Sequence, residues 1–303
     1  MPILIRIDGE SHTRREDARV PVFDHGFLFG DSVYEVIRTY GGFPFQVGPH
    51  LARLAESARG ISLELPWTKA ELGAEIERAV RDCGCPGETY VRVIVTRGVG
   101  ELDISPASCT RPSLILIAKD LPPHPPESYE RGISLAIVSR LRNEPGTVDP
   151  AIKTGNYLNS VLALIEARRR GATEAVMLNA HGALTECPTS NVFIVKDGSV
   201  RTPALECGIL SGITRSDVLR ICRENRVAAH EATIPADALR QADEAFITST
   251  TRGIMPAATI DGKPLAKASP GEVTRRLMTL FERDAQAFVA AERARRGQAE
   301  QRA

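Results

Sequence analysis

No charge of either sign prevails in the 303 residues: Lys plus Arg and Asp plus Glu number 38 each, so no global field favours nucleic acid or an anionic membrane. Any anion site has to be built locally. No apolar run approaches a membrane span, and the apolar start "MPILI" is broken at Arg6 and Asp8, too short for the core of a signal peptide. The expectation is a cytoplasmic chain that binds neither nucleic acid nor membrane. Cysteine is sparse and scattered, six in all, and "CGC" at 83–85 has no second pair at zinc spacing, which leaves structural or incidental thiols and no metal centre. "GVGELD" at 98–103 lacks the third glycine of a dinucleotide fingerprint and no phosphate-binding helix follows it. No internal repeat is evident. What is present is ordinary globular usage: 43% hydrophobic residues with 25% charged exclude disorder and supply one large or two medium cores.

The first part reads as β-rich with inserted helices. "ILIRIDGE" and "VIRTYGGFPFQV" place Asp8-Gly9 and Gly41-Gly42 between apolar alternations, the pattern of tight hairpins. "GPHLARLAESARGI" and "TKAELGAEIERAVRDCG" have helical spacing, the second with Leu72, Ile76 and Val80 on one stripe and Thr68 as cap. "TYVRVIVTRG" and "SLILIAKDL" are strands. "LPPHPPES" holds four prolines, which continue neither ladder nor helix, so residues 121–130 are the expected linker between a small domain, 1–120, and a larger one, 131–290. In the second part, strands "ISLAIVS", "EAVMLN", "NVFIVKDG", "EAFITST" and "AATIDGKPL" alternate with helices near 156–170, 214–225 and 270–291, with hairpin turns at Asp197-Gly198 and Asp261-Gly262. The fold class is α/β or α+β. Residues 291–303 form a charged, Ala-rich tail, expected to be a solvated helix fraying into disorder.

Three segments carry polar residues where simple structure would not need them. In "AIKTGNYLNS", Lys153 stands just before a helix whose Leu158, Val161, Leu162 and Ile165 are expected to form the buried stripe, with Gly171 at the C′ position. Lys153 is either a surface charge or part of a polar cluster with Gly155, Asn156 and Tyr157. Glu186, two residues before a proline and ahead of the apolar run Val192–Val195, is either a solvated loop acid or a buried carboxylate in need of a partner. Ser211, Gly212, Ile213 and Thr214 precede a helix with Val218, Leu219 and Ile221 inside, and serve as a plain N-cap or as an N-terminal anion cradle. A second hydroxyl-rich turn, "ITSTTRGIMP", carries Thr250, Thr251 and Arg252.

Taken in order, "PHLARL", "KTGNYLN", "LTECPTSNVF", "GILSGITR" and "STTRGIMP" resemble the pyridoxal-phosphate-dependent class IV (fold-type IV) aminotransferases, over residues 3 to about 285. This group holds the branched-chain aminotransferases, the D-amino-acid aminotransferases and aminodeoxychorismate lyase. The resemblance implies a fold-type IV enzyme with a small N-terminal and a larger cofactor-binding domain, pyridoxal 5'-phosphate as cofactor, and a homodimer. It makes Lys153 the lysine that bonds the cofactor and carries the proton between Cα and C4′, for which its amine must be neutral. Glu186 pairs with the pyridine nitrogen and Tyr157 with the 3′ oxygen, while Leu210 packs on one ring face. Arg53 holds the phosphate together with Gly212, Ile213, Thr214 and Thr250.

Substrate contacts implied by the resemblance fall on Tyr34 and Arg38 in "GDSVYEVIRTYGG", on Tyr90, Arg92 and Arg97 in "TYVRVIVTRG", and on Thr251 and Arg252. The Tyr-x-Arg pair at 90 and 92 is similar to that of branched-chain aminotransferases, where the tyrosine helps hold the substrate carboxylate and the arginine takes the distal carboxylate of glutamate. "FGDSVYEVIR" and "VTRG" are closer to the D-amino-acid enzymes, and Phe29 stands where branched-chain enzymes have tyrosine, yet "VGELDISP" replaces the Arg-x-His carboxylate trap of the D-enzymes. The same stretch is similar to "RGxG…SP" of the lyase. By strand parity Arg92 and Arg97 fall on opposite faces, so at least one is structural, and Arg252 either binds a carboxylate or points to water. The expected reaction is amino transfer between a small or branched-chain amino acid and a 2-oxo acid such as 2-oxoglutarate, with the L-branched-chain type preferred to the D type and to the lyase.

Overall fold

The computed structural model describes residues 1–300, and the side chains of residues 1–298; residues 301–303 of the expected tail lie outside the described residues. The chain divides into two compact units. The first holds Met1–Pro122 together with Ile152–Asn156 and the chain from Ala285; the second holds Pro123–Ala151 and Tyr157–Asp284. Segment 152–156 thus groups with the first unit, although its sequence neighbours on both sides belong to the second.

In the first unit, β1 (Ile3–Ile7) and β2 (Glu10–His12) are followed by a short α1 (His25–Leu28), β3 (Ser32–Tyr40) and β4 (Phe43–Pro44). Helices α2 (Val47–Gly60) and α3 (Lys69–Cys83) precede β5 (Thr89–Thr96) and β6 (Ser113–Asp120). The six strands make one antiparallel sheet in the order β2-β1-β6-β5-β3-β4. Its turns follow from backbone chemistry. Asp8-Gly9 and Gly41-Gly42 both have positive φ at both positions, as a two-residue hairpin turn requires. Thr68 caps α3 in a reciprocal capping box with Glu71, and Leu72 and Ile76 bury against the sheet residues Val33, Ile37, Val91 and Val93.

The second unit begins with α4 (Pro126–Glu130), which starts inside the expected linker: Pro126 sits in the first helical turn, where its missing N–H costs nothing. Then come β7 (Ile133–Ile137), α5 (Leu158–Arg169), β8 (Glu174–Val176), β9 (Glu186–Cys187), β10 (Ser190–Lys196) and β11 (Ser199–Pro203). They are followed by α6 (Ile213–Glu224), β12 (Ala229–Ala232), α7 (Ala236–Arg240), β13 (Glu244–Ser249), β14 (Gly253–Ile260), β15 (Lys263–Pro264) and α8 (Glu272–Glu300), of which the residues up to Asp284 belong to this unit. The sheet runs β12-β11-β10-β13-β14-β7-β8, with β15 on β14 and β9 on β10. It is mixed: β11–β12, β14–β7 and β7–β8 are parallel, the others antiparallel. One face packs Val192, Ile194, Ala245 and Ile247 into an apolar core; on the other, Phe193 and Phe246 stack at 4.8 Å.

The helical part of the expected tail is present, since α8 continues to Glu300. One expectation is corrected. The apolar stripe of α5 is not its buried face: Leu158, Val161, Leu162 and Ile165 are exposed at 71%, 48%, 37% and 42%, while Ser160, Ala163 and Ala167 face inward. Ala163 and Ala167 pack on Ala136, Val138, Ala175 and Met177, and their small side chains let the helix approach the strands closely. Gly171 does follow the helix end with positive φ.

Candidate active site

In the first unit, segment 152–156 lies along the free edge of β3. Val33 and Thr154 form an antiparallel bridge, Tyr34 N donates to Lys153 O at 3.0 Å and Gly155 N donates to Ser32 O at 2.9 Å. Gly155 is needed there because a Cβ would collide with Ser32 Oγ, and Asn156 Nδ2 donates to Gly30 O at 3.2 Å. Lys153 N donates to Ser57 Oγ of α2 at 3.0 Å. The backbone of Lys153 is therefore fixed from two sides. Its Nζ donates to Tyr34 Oη at 3.3 Å and stands 4.4 Å from the same ring's centroid. The Arg92 guanidinium lies over that ring at 3.9 Å. Register explains the grouping: Val36 pairs with Arg92 and Arg38 with Tyr90, so Tyr34, Arg38, Tyr90 and Arg92 share one sheet face.

The opposite face carries Arg53. From α2, its Nε and Nη2 donate to Glu35 Oε1 and Oε2 at 2.7 and 2.8 Å, and His50 Nδ1 lies 2.7 Å from Glu35 Oε2. All three residues are buried. Burial by itself would raise the Glu35 pKa, but the Arg53 and His50 hydrogen bonds and charges outweigh it and bring the carboxyl down to about 2. Burial pushes His50 down, against the upward pull of Glu35. His50 is neutral at pH 7, and its Nδ1–H is the donor to the ionised Glu35.

In the second unit, Glu186 of β9 is buried and accepts from Arg142, Asn191 and Leu210. Arg142 Nε donates to Oε1 at 2.9 Å and Arg142 Nη2 is equally close; Asn191 Nδ2 and Leu210 N reach Oε2 at 3.2 and 3.1 Å. Gly212 is the N-cap of α6 and has no capping side chain, and a Cβ there would strike Asn191 Oδ1. The first helical bond comes from Ser216 N to Gly212 O, so the N–H groups of Ile213, Thr214 and Arg215 point off the helix end. Thr250 and Thr251, half-buried, form the turn between β13 and β14. Tyr157 is the N-cap residue of α5.

The expected residues therefore gather as two constellations: Lys153, Tyr34 and Arg92 in one unit, and Glu186, Leu210 and the Gly212 cradle, linked through Asn191, in the other. Several stand apart from them. Arg97 donates to Asp31 and to the carbonyls of Ile61 and Ser62, an anchoring role on the other face from Arg92. Arg38 donates to Thr39 O and lies over Tyr40, and Tyr90 faces Lys119. Arg252 pairs with Glu174 and does not point freely to water. The sequence reading passed over Glu35, His50, Arg142, Asn191 and Glu174. For Glu35 a signal existed, since it shares a strand face with the apolar Val33 and Ile37; for Arg142, in a loop, there was none. All six cysteines are free thiols, and no cluster that would hold a metal ion occurs among the described residues.

Residues 32–260 match the class IV amino-transferase family. The "Putative branched-chain-amino-acid aminotransferase" of Methanocaldococcus jannaschii is 39% identical over 267 residues, 88% of this chain and 91% of that protein. A D-alanine aminotransferase of Listeria monocytogenes is 36% identical over 277 residues, again 88% of this chain and 91% of the relative. Among solved structures, the branched-chain amino acid aminotransferase of Thermobaculum terrenum in its PLP-form superposes with TM-score 0.83 at 26% identity, covering 93% of each chain. The donor set fits such a cofactor: a lysine amine, a buried carboxylate held by an arginine, and an uncapped helix N-terminus of the kind that receives phosphate. The chain thus belongs to the class IV aminotransferases, with the fold-type IV architecture, and is a pyridoxal-phosphate-dependent enzyme.

Proposed function

We propose that this enzyme moves the amino group between L-branched-chain amino acids and 2-oxoglutarate. The observation that carries this reading is the stack of Arg92 on Tyr34, whose hydroxyl accepts from Lys153 Nζ: it keeps a permanent cation close to the amine that handles the substrate's proton. Such a cation suits a second carboxylate, while the adjoining aromatic face suits an apolar side chain. The 39% identical relative supports the same substrate class. A D-amino-acid reading is favoured by the 36% identical D-alanine aminotransferase, and opposed by the stretch "VGELDISP" in place of an Arg-x-His pair.

In this reading the cofactor, when bound, supplies an electron sink for the pair left behind as Cα loses its proton. Lys153 would hold the cofactor and carry the Cα proton. Glu186 would hold the ring nitrogen, with Arg142 and Asn191 fixing its carboxylate, and Tyr157 and Leu210 would complete the ring's pocket. Arg53, Ile213, Thr214 and Thr250 bind the phosphate, with Gly212 giving close approach. Tyr34, Arg38, Tyr90, Arg92 and Thr251 are the proposed substrate contacts. Arg97 keeps its anchoring role. The exposed apolar stripe of α5 supports a homodimer, in which a second copy covers Leu158, Val161, Leu162 and Ile165. No described helix is long and apolar enough to cross a membrane, and the proposed compartment is the cytoplasm.

A half-reaction screen tests the substrate class: the holoprotein is mixed separately with L- and D-leucine, L-valine, L-glutamate and D-alanine, and the absorbance of the bound cofactor is followed. The reading expects conversion by the three L-amino acids. Conversion by the D-amino acids alone would reverse it.

A further inference from the structure

Arg252 closes the turn that carries Thr250 and Thr251, and two elements distant in sequence hold it there. Its Nη1 donates to Glu174 Oε2 at 2.8 Å, and its backbone carbonyl accepts from Tyr129 Oη, on α4, at 2.9 Å. Glu174 opens β8 and is 3% exposed at its side chain. A carboxylate that deep in the protein requires a counter-charge, and Arg252 supplies it. Ser249 and Gly253 close the hairpin, leaving three residues outside the ladder. Hairpin tips of this kind are the most readily displaced part of a sheet unless side chains tie them down. Here the side chain and the carbonyl of one residue are both tied.

We propose that Arg252 is a positioning residue, clamped by Glu174 and Tyr129 so that Thr250 and Thr251 keep a fixed orientation, and that it does not receive a substrate carboxylate. This rests on the proposed roles of those two threonines toward cofactor phosphate and substrate. It explains why an arginine beside the turn need not select dicarboxylic substrates. The clamp acts on phosphate and substrate alike, because both threonines sit on the turn that it holds.

The test compares Tyr129→Phe, Arg252→Met and the double variant Glu174→Gln/Arg252→Met. The dissociation constant of pyridoxal phosphate is measured first, then KM and kcat with L-leucine and L-glutamate. Tyr129→Phe removes one hydrogen bond and no charge, and weakens cofactor binding roughly fivefold, the factor for one ordinary hydrogen bond. Arg252→Met has a larger effect. The double variant is no worse than Arg252→Met, since a neutral pair replaces the charge left unpaired, and KM rises by the same factor for both substrates. Loss confined to glutamate in Arg252→Met, with unchanged cofactor affinity, would make Arg252 a carboxylate receptor and overturn the proposal; so would wild-type cofactor affinity in Tyr129→Phe. A wild-type protein that takes up no pyridoxal phosphate would contradict the proposed function as well as this inference.

Discussion

Lys153 Nζ and Tyr34 Oη are 3.3 Å apart, and the backbones of the same two residues are joined by a second hydrogen bond, Tyr34 N to Lys153 O, at 3.0 Å. A lysine from a distant part of the sequence is thereby carried as an extra rung on β3. The side-chain bond orients the amine, and the backbone bond sets where it can reach.

Tyr34→Phe removes the acceptor and keeps the ring under Arg92. An ordinary hydrogen bond is worth about 0.5–1.5 kcal/mol, so the rate of proton transfer should fall by roughly two- to tenfold. Cofactor affinity should hold. Single-turnover kinetics with L-leucine measure the first and equilibrium dialysis the second; an unchanged rate would mean that the tyrosine hydroxyl does not orient the lysine.

The buried Glu35, Arg53 and His50 cluster predicts acid sensitivity with a definite sign. The Glu35 carboxyl is held at about 2 in the folded chain, against the ordinary 4.5 of an unfolded one. Its contribution is present above pH 4.5 and is lost as the pH falls toward 2, because the unfolded chain then binds the proton more readily. The lowered pKa of His50 acts in the same direction, starting below its ordinary 6.5. Urea unfolding across pH 7 to 3 should show falling stability. Glu35→Gln should be less stable at pH 7 by about 3–5 kcal/mol, the cost of breaking a buried pair, and flatter in its pH dependence between 4.5 and 3. A variant with the wild-type slope would assign the acid sensitivity to other groups.

Arg92→Leu should discriminate between substrates. If Arg92 receives the distal carboxylate of glutamate, the variant loses about 1.5–3 kcal/mol of glutamate or 2-oxoglutarate binding, while leucine and valine are little affected. Equal losses on both substrate types, measured in single turnovers, would show a scaffold role through the Tyr34 ring.

The apolar side of α5 predicts assembly. Leu162→Asp places a charge in the stripe without touching the Ala163 and Ala167 contacts that hold the helix to its own sheet. Sedimentation should find a dimer for the wild type and a monomer for the variant. A variant that stays dimeric would place the interface elsewhere.

Local chemistry was the legible part of this chain. Asp-Gly pairs at 8, 197 and 261 demand positive φ and mark hairpins wherever they stand between apolar alternations, and the Thr68 capping box marks the start of α3 from four residues alone. Short motifs offered Lys153 and Glu186 as candidates and gave nothing of their surroundings. The face of α5 was misread because periodicity shows that a stripe is apolar and not what covers it; close packing against β7 and β8 selected the Ala163 and Ala167 side. Arg142 and Glu174 were missed because their partners are 44 and 78 residues away, a distance at which one sequence gives no signal.

The central claim is that Lys153 bonds the cofactor, and chemical trapping tests it most directly. Holoprotein reduced with borohydride, digested and mapped by mass spectrometry should carry a phosphopyridoxyl group on the peptide containing Lys153, and Lys153→Ala should carry none while still folding. A label on any other lysine, or full turnover by Lys153→Ala, would contradict the account.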